Sequence, residues 1–189
     1  MRSLKLLLIL VVFLSFSSNA KDIRLTENSN QFVITSKTLS EFTFVNYLSE
    51  ISTIRIKEDA HNFVRLVVFG YGEDAEKGNA ELPVLEELIN IPFGSTVDVK
   101  ILNIEEEIIS LSDYGIDDLI FPSQPSVSKA QNVEDIPFSF NLEYYSYDAF
   151  YEKDVVKTEL LGKMRGQQLA RLSVSPFTYN PSTNKLKVI

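Results

Sequence analysis

The chain has 189 residues and a mass of 21.5 kDa, with 18 basic against 26 acidic residues, one histidine, and neither cysteine nor tryptophan. That inventory excludes a thiol nucleophile, a disulfide framework, a thiolate metal site and haem attachment. It also excludes a multi-histidine metal centre, while an all-oxygen calcium site stays open. A formal net charge of −8 speaks against a nucleic-acid partner.

Arg2 and Lys5 open the chain on positive charge, and an apolar run from Leu6 to Phe16 follows. Ser18 and Ala20 suit the −3 and −1 positions of a signal-peptidase site, which predicts a signal peptide over residues 1–20 cleaved after Ala20. The run is too short for the roughly 20 residues that cross a bilayer, and no cysteine follows it for lipid attachment. The expectation is an exported protein, periplasmic or secreted, with no membrane partner after cleavage.

Residues 21–189 suit one domain of about 150 residues held by packing alone. Their charge is uneven. Residues 21–151 carry 9 basic and 23 acidic side chains, whereas residues 152–189 carry 7 and 3. Such polarity suits either a partner surface or a solvated acidic face.

Period-two alternation dominates in chain order. It predicts strands around Phe32–Ile34, Phe42–Phe44, Val97–Ile101, Ala170–Val174 and Lys185–Ile189, with Asn180–Asn184 as a turn, while Phe63–Phe69, rich in β-branched and aromatic residues and ending at Gly70, reads as a central strand. The best helix candidate is Val84–Ile89, since Pro83 suits a first helical turn. Residues 70–80 and 121–135 read as loops, the second containing Pro122 and Pro125. Many short strands with turns between them predict an all-β, antiparallel β-sandwich or jelly-roll-like single domain with at most one or two short helices.

Four features could carry function. Glu105, Glu106, Glu107, Asp113, Asp117 and Asp118 are hard oxygen ligands without the D-x-[DN]-x-[DN]-G spacing of a calcium loop, so no metal is assigned. His61 beside Asp59 lacks a nucleophile in a G-x-S-x-G setting, so no catalytic residue and no cofactor is expected. The aromatic-dense stretch 142–151 offers Tyr144, Tyr145, Tyr147 and Tyr151 as partner-facing rings, against ordinary core packing. Finally, Lys129 follows Val127 and Ser128 in a proline-stiffened loop, an arrangement that can present one long basic side chain to a protease subsite or leave an ordinary exposed lysine.

Several blocks in order resemble the N-terminal propeptide of gingipains, the secreted Lys- or Arg-specific cysteine proteases of Bacteroidota. They are Leu82-Pro83-Val84-Leu85, Ile91-Pro92-Phe93-Gly94, Phe121-Pro122-Ser123-Gln124-Pro125-Ser126-Val127-Ser128-Lys129, Pro137-Phe138-Ser139-Phe140-Asn141, and the run from Leu161-Gly162-Lys163-Met164-Arg165-Gly166 to Val188. The resemblance implies a β-sandwich that assists zymogen production and keeps the catalytic domain of a gingipain-type protease latent, through a basic residue entering an acidic S1 pocket. Lys129 is the candidate for that residue, with Lys163 and Arg165 second. The protease domain itself is absent, which fits a standalone inhibitor, a gene remnant or the first part of a longer precursor. If final strands are missing, the Lys185–Ile189 edge would be open. A periplasmic or cell-surface adhesion module binding glycans is the alternative.

Overall fold

The computed structural model describes residues 21–27, 29–58, 61–129, 131–132 and 136–189, so the predicted leader and Asp59 lie outside the described residues. Thirteen strands occur among them, in four sheets. The first sheet has the order β1 (Lys21–Arg24), β4 (Glu50–Glu58), β5 (His61–Val67), β9 (Leu119–Ile120). The second runs β10 (Val156–Met164), β11 (Gln167–Val174), β7 (Leu82–Ile91), β6 (Gly72–Asp74). The third is β12 (Phe177–Asn180), β13 (Lys185–Val188), β8 (Glu107–Ser110), and β2 (Gln31–Lys37) pairs with β3 (Phe42–Tyr47) as a hairpin. The all-β class is as expected, with one short helix α1 (Leu142–Tyr145) and a 3₁₀ turn at Leu111–Tyr114. All pairs are antiparallel except β5 with β9, where the chain returns to the sheet after a long excursion.

The main core lies between the first and third sheets. Ile23, Ile51, Val64, Leu66, Ile120, Phe177, Tyr179 and Leu186 are fully or almost fully buried there. A smaller cluster of Leu85, Leu172 and Val174 forms under the β2–β3 hairpin, which contributes Phe32, Phe42 and Phe44. Strand β11 displays the simplest cause and effect: Gln168, Ala170, Leu172 and Val174 are buried, and the residues between them are only half-buried.

Three local expectations are corrected. Val84–Ile89 is not a helix but lies inside β7, paired with β11 from Leu85 to Ile91 and with β6 from Leu82 to Val84. Leu85 and Ile89, four residues apart, satisfy both a helical and a strand period, and the flanking strands decide the matter. Val97–Ile101 belongs to no sheet and pairs with no strand among the described residues. Lys185–Ile189 is no open edge, because β13 has β12 on one side and β8 on the other.

Two glycines with positive φ separate backbone strain from crowding. Gly78 (φ 83°) lies where an added Cβ would stand 3.0 Å from the Asn141 amide nitrogen, whereas Gly70 (φ 84°) faces open space. Gly70→Ala should cost about 1 kcal/mol from backbone strain alone, and Gly78→Ala about 2–3 kcal/mol, because Asn141 must also move. Paired denaturant titrations check this, and equal losses would contradict it.

Candidate functional site

The loop after β9 has a root that is tied on both sides. Residues 78 and 79 act as its foundation: Gly78 N–H donates to Ser123 O (2.8 Å), Ser123 N–H to Asn79 O (2.8 Å), and Asn141 N–H to Gly78 O (2.9 Å). Gln124 then joins the two arms. Its amide donates to the carbonyls of Pro122 (2.8 Å) and Ser139 (3.0 Å), and its carbonyl accepts from Ser139 N–H (2.9 Å). From this root the chain becomes exposed at Ser126, and it turns where Gln131 N–H donates to Ser128 O (3.0 Å). The Gln131 side chain accepts from Ser128 N–H at 3.0 Å. Lys129, the first residue inside that turn, is exposed, as are Val127 and Ser128. Between Lys100 and Lys153 the sequence contains no other basic side chain.

Aromatic rings seat the loop on the first sheet. Phe63 faces away from Val64 and Leu66 on β5, and it meets Phe121 on one arm (5.8 Å, edge-on) and Phe138 (5.7 Å) and Phe140 (6.3 Å) on the other. The series continues from Phe140 to Tyr145 (4.3 Å, stacked), Tyr144 (5.3 Å), Tyr151 (4.4 Å, stacked) and Tyr147 (4.8 Å). The structure therefore gathers the four candidate tyrosines but divides their roles. Tyr144 and Tyr145 are only 4% and 7% exposed, so they are core residues and not partner-facing ones, a correction to the sequence-based expectation. Tyr145 donates its hydroxyl to Ile120 O at 2.6 Å, and burial raises both phenols well above their ordinary range. Tyr147 and Tyr151, 48% and 38% exposed, are the rings a partner could touch.

The other candidates stand elsewhere. Arg165 (φ 51°) and Gly166 (φ 80°) form the two-residue connection of the β10–β11 hairpin, whose left-handed backbone is that of a primed turn. Lys163 places its ammonium 4.0 Å from the centre of the Phe93 ring. Among the described residues no three His, Asp or Glu side chains gather as metal ligands, and Asp118 of the acidic run lies 3.8 Å from Arg55. A cleft of about 590 Å³ lies between Asp74, Tyr144, Lys153 and Arg171, but Arg171 is already 3.3 Å from Glu86 and 3.9 Å from Glu159.

A comparison with protein families matches the Propeptide_C25 model over residues 21–189. The chain belongs to that family. It is 30% identical over 173 residues to Lys-gingipain HG66 of Porphyromonas gingivalis, an alignment covering 92% of this chain and 10% of that protein. Gingipain R2 of the same species is 27% identical over 117 residues, covering 60% and 14%. The chain thus spans about a tenth of the length of the curated relatives it matches. Among solved structures, one concerning zymogenic latency of gingipain K from P. gingivalis superposes with a TM-score of 0.84 at 28% identity, covering 89% of this chain and 92% of that one. A complex of the P. gingivalis RgpB pro- and mature domains superposes with a TM-score of 0.70 at 19% identity, covering 85% and 81%. Membership identifies the chain as a non-catalytic propeptide domain. No helix among the described residues is long and apolar enough to cross a membrane.

In this Propeptide_C25 domain, sequence reasoning missed the polar knot beneath the loop, whose members lie far apart in the chain. Arg65 Nε lies 2.9 Å from Glu81 and 3.5 Å from Glu73, and its guanidinium carbon lies 5.0 Å from the Phe121 ring centre. Glu81 N–H also donates to Phe121 O at 2.9 Å. Burial pushes the Glu81 carboxyl, 13% exposed, up to about 6; the charge of Arg65 opposes this, and Glu73 adds to it. Because the folded state holds this proton more tightly than the unfolded chain, the contribution is present below the unfolded pKa of 4.5 and is lost as pH rises through about 6. Glu81→Gln should therefore flatten the rise in stability on acidification from pH 6 to 4.5, as chemical denaturation at several pH values would measure.

Proposed function

We propose that this chain is an exported, non-catalytic propeptide that keeps a gingipain-type Lys- or Arg-specific cysteine protease latent and assists its production. The leader is residues 1–20, removed after Ala20, and the functional domain is residues 21–189. The observation that carries this reading is Lys129 at the corner of an exposed turn whose root is tied by Gln124 and seated on Phe63. An ordered root lowers the conformational entropy lost on docking, so the loop can spend little of its interaction free energy on becoming ordered. The Lys129 ammonium then enters the acidic S1 pocket, with Val127 and Ser128 lying along the adjoining subsites.

The charge pattern supports the same reading. Lys129 is an isolated cation on an acid-rich segment, so an acidic pocket gains from this side chain and is repelled by the surface on either side of it. Tyr147 and Tyr151 supply a second, apolar contact next to the loop's root. The similarity to the gingipain K structure concerned with zymogenic latency supports latency as the role, and the RgpB complex supports a mature protease domain as the partner. A standalone inhibitor and the first part of a longer precursor would use the same contact. Arg165 and Lys163 are the secondary S1 candidates, and their engagement by a hairpin turn and by Phe93 weighs against them.

The test is inhibition of a Lys-specific and an Arg-specific gingipain-type protease by the wild-type chain and by Lys129→Ala. Truncating one partner of a desolvated ion pair costs about 2–5 kcal/mol, so the inhibition constant should rise by about 30-fold or more. Undiminished inhibition by the variant would move the S1 contact to Arg165 or Lys163. Failure of the folded wild-type chain to inhibit either protease would refute the inhibitory role.

A further inference from the structure

The hairpin of β6 and β7 is the foundation of the Lys129 loop. Three residue pairs join its arms: Gly72 with Val84, Glu73 with Pro83 and Asp74 with Leu82. The connection between the arms carries Gly78 and Asn79, which hold the N–H and O of Ser123 at 2.8 Å each. It also carries Ala80, bridged to Pro122, and Glu81, whose N–H reaches Phe121 O at 2.9 Å. Opening or closing this short hairpin therefore moves the root from which residues 126–129 project.

Glu73 and Glu81 stand at the mouth of the hairpin, one on each side, and both turn towards Arg65 of the neighbouring sheet. Arg65 Nε offers one N–H, 2.9 Å from Glu81 and 3.5 Å from Glu73. With a proton on Glu81, the two carboxyl groups hydrogen-bond across the hairpin and the three-residue cluster carries no net charge. Without it, two carboxylates compete for one N–H, and like charges across paired strands oppose the pairing. The Glu81 side chain is 13% exposed, whereas Glu73 is 41% exposed on the last strand of its sheet, so Glu73 and β6 are the part that yields. The other titratable groups nearby are engaged or turned elsewhere. Tyr145 feels the charge of Glu81 but donates its hydroxyl to Ile120 O, Asp74 lines the cleft with Lys153, and His61 lies on the far side of Phe63. Glu81 keeps its proton up to about pH 6, against 4.5 in the unfolded chain. The closed hairpin is therefore favoured in acid and loses this support as the pH rises through that range.

We propose that Glu73 and Glu81 form a proton-operated clamp on the β6–β7 hairpin, which fixes the root of the Lys129 loop in acid, tightening latency, and loosens it towards neutral pH. The link to latency rests on the reading of Lys129 as the residue that enters the protease.

The test compares the full chain with Glu81→Gln, whose amide donates to Glu73 and accepts from Arg65 as protonated Glu81 does but cannot ionise. Amide hydrogen exchange, expressed as protection factors, is followed at Gly78 and Ser123 for the root and at Leu172 for the core. From about pH 5 to about pH 7.5, root protection in the wild type should fall by about tenfold, one pKa unit corresponding to a factor of ten, with a smaller change at Leu172. In Glu81→Gln the root should keep its acid value. Glu73→Gln, which removes the opposing carboxylate, should show a smaller fall than the wild type. Binding to a gingipain-type protease with its nucleophilic cysteine replaced by alanine gives the functional readout. The wild type and Glu81→Gln should bind alike in acid, and at about pH 7.5 the variant should bind about tenfold tighter. Titration of the protease and of His61 cancels in that ratio. Root protection that is indifferent to pH, that falls equally in Glu81→Gln, or that falls only in step with Leu172 overturns the proposal. So does an affinity ratio that stays at one while Lys129→Ala still weakens binding. If Lys129→Ala binds like the wild type at both pH values, the Lys129 reading fails instead, and the exchange data alone decide whether the clamp exists.

Discussion

The packing of Phe63 against rings from both arms of the 121–141 excursion is the constraint on which the candidate site depends. A strand inside a sheet ordinarily offers one face to the core, and β5 does so through Val64 and Leu66. Phe63 uses the opposite face, and the phenylalanines at 121, 138 and 140 shield it from water. Burying large rings in this way supplies the stabilisation that a loop with few backbone pairs lacks. Gln124 then needs only its three hydrogen bonds to fix one arm against the other. The exposed stretch from Ser126 to Lys129, beside the contact of Ser128 with Gln131, is therefore the free end of a rooted structure.

The electrostatics follow the same division between root and tip. Beneath the loop, Arg65 is shared by two carboxylates and covered by Phe121, so its charge is neutralised internally and is not available to a partner. At the tip, Lys129 is exposed on a segment otherwise free of bases and rich in acids. The excess positive charge of the last 38 residues meets the acidic body where Arg171 lies 3.3 Å from Glu86, while the contacts of Arg171 with Glu159 and of Lys187 with Glu152 stay within the segment. The charge polarity visible in the sequence is thus in part internal complementarity between the C-terminal strands and the acidic body.

Legibility varied with how local the determining interaction was. β11 and β13 were readable because alternation along each strand reports a half-buried sheet position directly, β2 and β3 from the period-two spacing of their apolar residues, and β5 from its β-branched and aromatic content. Strands β4 and β10 were not singled out, though both are long: each carries consecutive polar or exposed residues that blur the period. In β7, Leu85 and Ile89 fit either period, and Pro83 suggested a helical start that pairing with β6 and β11 overrode. Val97–Ile101 has the alternation of a strand but no neighbour among the described residues, and alternation cannot report whether a neighbour exists. Among the tyrosines the ring-dense composition was plain, whereas the split into buried Tyr144 and Tyr145 and exposed Tyr147 and Tyr151 arises from a four-residue helix capped by Asn141.

By itself, the sequence determined the all-β class, the absence of thiol and multi-histidine chemistry, the loop that carries Lys129, and the family resemblance. Each of these rests on residue type or short-range order, which the chain carries without reference to its fold. Only the tertiary structure decided that Phe63 faces the loop, that Gln124 ties its arms, that Arg65 meets Glu73 and Glu81, and that residues 96–106 are left without a strand partner among the described residues. Those contacts join residues distant in sequence, and their free energy exists only once packing has brought the groups together and removed the water between them.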